Sequence, residues 1–304
     1  VSASLPAAPP ATWREYLALT KPKVVSLLLF TAVGAMFVAA GGLPNPWALL
    51  GVLVGGYMST GGAGVFNMIL DRDIDARMRR TSRRPIVTGS ISVPQAAVFG
   101  GLLSAGSFVV LLLTTNLLTA LLAWAGLLFY VLVYTAWLKR TTWQNIVIGG
   151  AAGAVLPLLG WAAVTDSLPW MAWILFLLIF MWTPVHFWAL AFLVSDQYAA
   201  VGVPMAPAVI GTQRTLRQMV LYTVLTVLTT LAPFALRETG WSYLGAVVLL
   251  NGLLVVKMVQ LYAKTAPSWE VARPDALSVY KFSMLYLALV FVALALDRGL
   301  PFLP

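Results

Sequence analysis

Asn67, Asp71 and Asp75 are the residues whose types and spacing could do chemistry. Each step of four turns a helix by only ~40°, so on a helix the three side chains share one face. Asp73 falls about 200° round from Asp71 and points away. A ladder of oxygen donors suits a hard cation, Mg²⁺ above others. Such an ion keeps waters and takes one or two carboxylates together with the phosphate oxygens of a substrate. Behind the acids come Arg77, Arg79, Arg80, Arg83 and Arg84, whose guanidinium groups can hold anionic oxygens. The whole set follows directly on the apolar run Trp47 to Leu70. It therefore stands at the mouth of a membrane helix, where acids are scarce and costly.

Three other polar sites stand out. Asp196 ends a second apolar run, with Gln197 and Tyr198 behind it. If the two acidic helix ends face each other, they can share Mg²⁺ and clamp a diphosphate. His186, ten residues before Asp196, lies roughly 15 Å deeper if the run is helical. A histidine at that depth can touch a haem iron, serve a proton path or hydrogen-bond a neighbouring helix. Lys139 and Arg140 form a cationic pair suited to phosphate.

The elements that must position these groups are membrane helices. Of the 304 residues, 61% are hydrophobic and 10% charged, against about 25% charged in soluble domains. A span needs about 20 apolar residues. Nine segments qualify: Lys23–Ala40, Trp47–Leu70, Pro94–Leu113, Leu117–Leu138, Gln144–Val164, Pro169–Val194, Thr215–Leu236, Trp241–Ala263 and Ala276–Leu296. The expected fold is an all-α integral membrane bundle of nine transmembrane helices. Residues 1–20 read as a disordered or interfacial segment and 21–304 as one membrane domain.

Of the 19 lysines and arginines, only Arg237 and Arg298 fall on one side of such a bundle. The positive-inside rule then puts the N-terminus and the acid ladder in the cytoplasm. The net charge of +9 follows the loops between spans and is no sign of nucleic acid. With no cysteine there is no disulfide, zinc finger or thiol nucleophile, and a single histidine excludes a His-rich metal site. Paired glycines inside the spans (Gly55-Gly56, Gly61-Gly62, Gly100-Gly101, Gly149-Gly150) suit close helix packing.

Taken together, these segments resemble the UbiA-type membrane prenyltransferases, from about Leu19 to Tyr286. The resemblance is carried by Leu19-Thr20-Lys21-Pro22, by the block from Asn67 to Pro85, by Tyr134-Thr-x-x-Leu-Lys139-Arg140 with Asn145-Ile-Val-Ile-Gly-Gly, and by His186-Phe-Trp-Ala-Leu-Ala with Tyr198-Ala-x-x-Gly202-Val-Pro-Met. The combination is similar to the haem-farnesylating branch. One departure is plain: Gln197 stands where the family pattern has an acid, and Asp196 precedes it.

The resemblance implies a UbiA-type bundle in the cell (inner) membrane. It implies farnesyl diphosphate and haem B (protohaem IX) as substrates and haem O as product. It further implies Mg²⁺ at Asn67, Asp71, Asp75 and Asp196, and Lys139 and Arg140 acting on the leaving diphosphate with Asp71 and Asp75. Lys21, Arg72, Arg80, Arg84, His186 and Tyr198 would hold substrate. A handover of product to a haem A synthase is implied as well. Two rivals remain: prenyl transfer to an aromatic acid for quinone synthesis, and a small-molecule transporter. Transport sites lie near the midplane, whereas these acids cluster at one face.

Overall fold

The computed structural model describes residues 11–265 and 269–299; the side chains of Ser195, Asp196 and Thr265, and those of residues 269–272, lie outside that description. Residues 1–10 of the expected N-terminal segment lie outside it too.

Nine described helices are long and apolar enough to cross a membrane. We label them α1 (Pro22–Ala40), α2 (Pro46–Leu70), α3 (Val93–Thr114), α4 (Leu117–Thr141), α5 (Asn145–Thr165), α6 (Trp170–Leu193), α7 (Thr212–Ala235), α8 (Trp241–Lys264) and α9 (Arg273–Gly299). Each coincides with one of the nine apolar segments of the sequence. The short connections carry their own stop and start chemistry. Gly41 ends α1 in the left-handed conformation. Asn45 then accepts from the amides of Trp47 and Ala48, ahead of Pro46 in the first turn of α2. Asn116 does the same for α4 through the amide of Thr119.

Each span packs on the next, and α9 returns against α1 and α6. The main apolar core lies among α1, α5, α6, α8 and α9, around Leu158, Trp161, Leu175, Tyr286 and Phe291. The opposite surfaces keep their large side chains exposed, among them Leu53, Leu102, Leu132, Val224 and Leu285. Apolar side chains facing outward cost nothing in lipid, so a bilayer is the solvent this surface fits. Tryptophans at helix ends (Trp47, Trp170, Trp241) are exposed, where an interfacial ring belongs.

The glycine pairs do bring backbones together. A Cβ on Gly62 would meet Ser104 Oγ at 2.8 Å and the Gly100 carbonyl at 3.2 Å, so α2 and α3 touch through small residues. Ser107 adds a hydrogen bond from its hydroxyl to the Gly55 carbonyl at 2.8 Å.

One feature of α4 has no counterpart in the apolar pattern. From Phe129 to Leu138 the helix is wound as a π-helix. Bonds from residue i to i+5 widen the turn, so residues four apart lie close to one face. The Tyr130 and Tyr134 rings stack, 5.3 Å apart, and the Thr135 hydroxyl donates to the Tyr130 carbonyl at 2.8 Å. Such stretches tend to sit at functional sites, and this one runs directly into Lys139.

Candidate active site

The acid ladder forms as its spacing predicts. Helix α2 bends at Asp71, and a short helix, Arg72–Arg77, follows. The i to i+4 pattern survives the bend: the Asp71 amide bonds the Asn67 carbonyl at 2.9 Å and the Asp75 amide the Asp71 carbonyl at 2.8 Å. Asn67, Asp71 and Asp75 are all buried, whereas half of the Asp73 side chain is exposed.

Each rung carries its own cation. Lys21 donates to Asn67 Oδ1, Lys139 to Asp71 Oδ2 and Arg84 to Asp75 Oδ2. Arg140 forms a fork on Asp73, with bonds of 2.7 and 2.8 Å. Its second nitrogen also reaches the Leu70 carbonyl at 2.8 Å and lies 3.8 Å from Asp71 Oδ1. The fork holds the Asp73 carboxyl well below the usual range. The Lys21 ammonium is pushed down to about 7, first by burial and then by Arg84 and Lys139 beside it. Four cations thus crowd three carboxylates at one end of the bundle. A multiply charged anion placed among them would relieve that crowding.

The backbone around Lys21 is built for this contact. Lys21 adopts a left-handed conformation (φ 54°), uncommon for a residue with a side chain. It stands at the break between a helix, Trp13–Leu19, and α1. Gly64, one turn before Asn67, makes room: a Cβ there would lie 3.3 Å from the Leu19 carbonyl oxygen and 3.5 Å from that of Thr20.

The amide of Asn67 is oriented by Thr135 of the π-helical stretch. Asn67 Nδ2 donates to Thr135 Oγ1 at 3.1 Å and to Asp71 Oδ2 at 2.8 Å, which turns Oδ1 toward Lys21. Thr135 stands in the Tyr134–Arg140 block but carries no charge, so sequence reasoning gave it no role. Thr135→Val should leave Asn67 free to turn, at a cost of about 1 kcal/mol for the lost bond. The expected kinetic result is a higher Mg²⁺ requirement with turnover largely recovered at saturating Mg²⁺. An unchanged Mg²⁺ titration would remove Thr135 from the site.

The site fits a cation of Mg²⁺ type on two grounds. The donors at Asn67, Asp71 and Asp75 are all oxygen. In addition, Asp71 Oδ1 is buried and accepts no hydrogen bond, which leaves an oxygen for a metal. Among the described residues no three His, Cys, Asp or Glu side chains converge to hold a metal alone. An ion here would therefore share its coordination with substrate phosphate and water.

The other predicted residues divide. Tyr198, on the helix Ser195–Ala200, lies within electrostatic range of Tyr130 and Tyr134 and packs on the core cluster that contains Ile74 and Met78, beside Asp75. The second segment thus comes to the first site. The side chain of Asp196 lies outside the described residues. Gln197 has its amide oxygen buried with no hydrogen-bond partner. Arg72 and Arg80 are exposed and pair with no acid among the described residues. His186 lies on α6, deep in the bundle, against α9.

The model of the UbiA prenyltransferase family matches residues 27–277. The chain belongs to the UbiA prenyltransferase family. A protoheme IX farnesyltransferase of Deinococcus radiodurans is 51% identical, covering 98% of this chain and 97% of its own length. A protein of the same name in Thermus thermophilus is 55% identical over 95% of this chain, which spans only 46% of that relative's length. Among solved structures, a UbiA homolog from Archaeoglobus fulgidus bound to DMAPP and Mg²⁺ is 18% identical, with a TM-score of 0.69 over 92% of this chain and 99% of that one. That likeness shows the fold: this UbiA family member is an all-helical, multi-pass membrane protein.

Proposed function

We propose that the chain transfers the farnesyl group of farnesyl diphosphate to a vinyl group of haem B, with addition of water, to give haem O. The observation that supports it is the ladder of Asn67, Asp71 and Asp75, each rung paired with one of Lys21, Lys139 and Arg84. This is a receptor for a multiply charged anion and its counter-ion. The choice of acceptor follows the Deinococcus relative, which is named a protoheme IX farnesyltransferase and matches over nearly its whole length.

The chemical task is to break the bond between the farnesyl carbon and the diphosphate oxygen. The electron pair leaves with diphosphate, and an allylic cation remains. Bound at Asn67, Asp71 and Asp75, with Asp196 as a further ligand, Mg²⁺ would supply positive charge to the departing oxygens. Lys139 and Lys21 turn from ladder oxygens to phosphate, and Arg84 does so from Asp75. Arg140, Arg72 and Arg80 stand at the open end, where they draw the diphosphate in. Apolar walls with Tyr198 keep water from the cation until it meets the acceptor. The vinyl π electrons then form the new carbon–carbon bond. Water adds to the cation left on the haem side chain, and one proton is released. The chain needs no covalent intermediate of its own.

We place this site on the cytoplasmic side of the cell (inner) membrane, because 17 of the 19 basic residues fall there when the nine described spans are threaded in order. Reporter fusions at residue 80 should read cytoplasmic and at residue 43 external; the reverse pattern would sink the orientation. Product handover to a haem A synthase would follow on the same membrane.

The test of function is mass spectrometry of haem after incubating purified protein with haem B, farnesyl diphosphate and Mg²⁺, with 4-hydroxybenzoate as a competing acceptor. Haem O should appear. Prenylated 4-hydroxybenzoate alone would transfer the chain to quinone chemistry. Flux of unaltered substrate across proteoliposomes, without conversion, would make it a transporter.

A further inference from the structure

His186 is the sole histidine of the chain, which also lacks cysteine. It lies seven residues inside the end of α6, roughly 10 Å into the bundle. Its Nδ1 is 2.8 Å from Ser283 Oγ on α9. The serine hydroxyl is also placed to donate to the Tyr280 carbonyl, at 2.8 Å. With the hydroxyl proton on the Tyr280 carbonyl, Ser283 Oγ accepts from the histidine and Nδ1 carries the ring's hydrogen; this is the tautomer the proposal uses. Nε2 has no hydrogen-bond partner among the described residues, and in the Nδ1–H tautomer it keeps a bare lone pair.

The ring is held in its plane by its neighbours. It stacks on Trp182 (centroids 4.5 Å apart, planes 17° apart) and on Tyr280 (4.9 Å, 28°), with Phe187 edge-on at 6.0 Å. Trp182 is itself pinned by a 2.9 Å bond from its indole nitrogen to the Ser283 carbonyl. A histidine whose only work was to tie α6 to α9 would need one nitrogen. Here one nitrogen is spent on fixing the tautomer and three aromatic rings fix the plane, while the other nitrogen stays unused. That is how a metal-ligating imidazole is prepared: the far nitrogen donates a hydrogen bond and the near one keeps its lone pair.

Within the haem-acceptor reading proposed above, we infer that His186 Nε2 is the axial ligand that holds the haem iron of the acceptor. Axial haem ligands in proteins are His, Cys, Met or Tyr; this chain has ten Met, ten Tyr, no Cys and one His, and the His is the one with a free ring nitrogen set deep in a span. The coordinate bond takes the lone pair of Nε2 into an open axial position of the iron and changes no oxidation state. Its use is geometric, since fixing the iron and the ring plane fixes where the vinyl groups lie. The turn of α6 that bears His186 shares its core cluster with the segment around Asp75: Val185, Trp188 and Ala189 pack together with Ile74 and Met78. His186 would thus be a positioning residue for the acceptor, distinct from the groups that act on diphosphate.

The single histidine allows a test without a variant. The chain, prepared without a histidine tag and labelled with ¹⁵N only in histidine, is titrated with ferric haem B and read by pulsed electron paramagnetic resonance. A ¹⁵N coupling at the iron is expected. Haem that binds tightly without that coupling overturns the ligand assignment and leaves the acceptor reading standing. No haem binding at all overturns both. In parallel, His186→Ala should weaken haem binding at least tenfold and lose the wild-type Soret position. Added imidazole should restore that position, and farnesyl diphosphate affinity should stay unchanged. A wild-type Soret band and affinity in His186→Ala would also refute the assignment.

Discussion

Asp71→Asn should lower farnesyl transfer by about 10²–10³-fold, the range seen when one electrostatic contact to developing charge is removed. Asp71 occupies the centre of the ladder. One of its oxygens pairs with Lys139 and takes a bond from Asn67 Nδ2; the other is buried without a hydrogen bond. The amide keeps the shape and removes the charge, so the protein should stay folded while Mg²⁺ binding, read with Mn²⁺ as a paramagnetic stand-in, is lost. Asp75→Asn should behave alike, since Asp75 is equally buried and holds Arg84. Asp73→Ala is the internal control. That side chain is half exposed and serves Arg140 alone, so its loss should cost a few-fold at most. Equal damage from all three would mean that the charge of the loop, and not the ladder face, holds the ligand.

The largest effect on stability is expected at Gly160. A Cβ built there would lie 2.0 Å from the Ala32 carbonyl oxygen and 2.8 Å from its carbonyl carbon, both backbone atoms of α1. No rotamer can relieve that contact, so α1 and α5 must move apart. Ala35 of α1 and Ala154 and Leu158 of α5 pack in the main core, and the separation would loosen them together. Gly160→Ala should therefore cost about 3 kcal/mol, the upper end for overpacking. Thermal unfolding in detergent, followed by size exclusion, would show it. Gly101→Ala is the matched comparison, because nothing lies within 4 Å of its Cβ. It should be neutral or slightly stabilising. Similar losses at both positions would show that glycine in these helices matters for backbone freedom and not for close approach.

Much of this protein was legible in its sequence, for reasons that differ by feature. The nine spans follow from length and hydropathy alone, because lipid demands a continuous apolar helix wherever the chain crosses. The ladder follows from helical periodicity, and it survived even the bend at Asp71, since hydrogen bonds on both sides preserve the i to i+4 phase. The identity of the cations that answer the acids was legible only as a list. Which cation meets which oxygen depends on side chains from separate elements: Lys21 comes from the break before α1, Lys139 from the end of α4 and Arg84 from the loop after α2. Tertiary structure alone made Arg140 the partner of Asp73 and left Arg72 and Arg80 in the open. Thr135 was invisible because its role depends on a π-helical winding that leaves no mark on the apolar pattern. His186 was visible as the chain's lone histidine, set in a span, but its hydrogen-bond partner was not. That partner is Ser283, 97 positions away, whose hydroxyl lies within hydrogen-bond distance of both the histidine and the Tyr280 carbonyl. Local periodicity decides which face a residue occupies; long-range packing decides what meets it there.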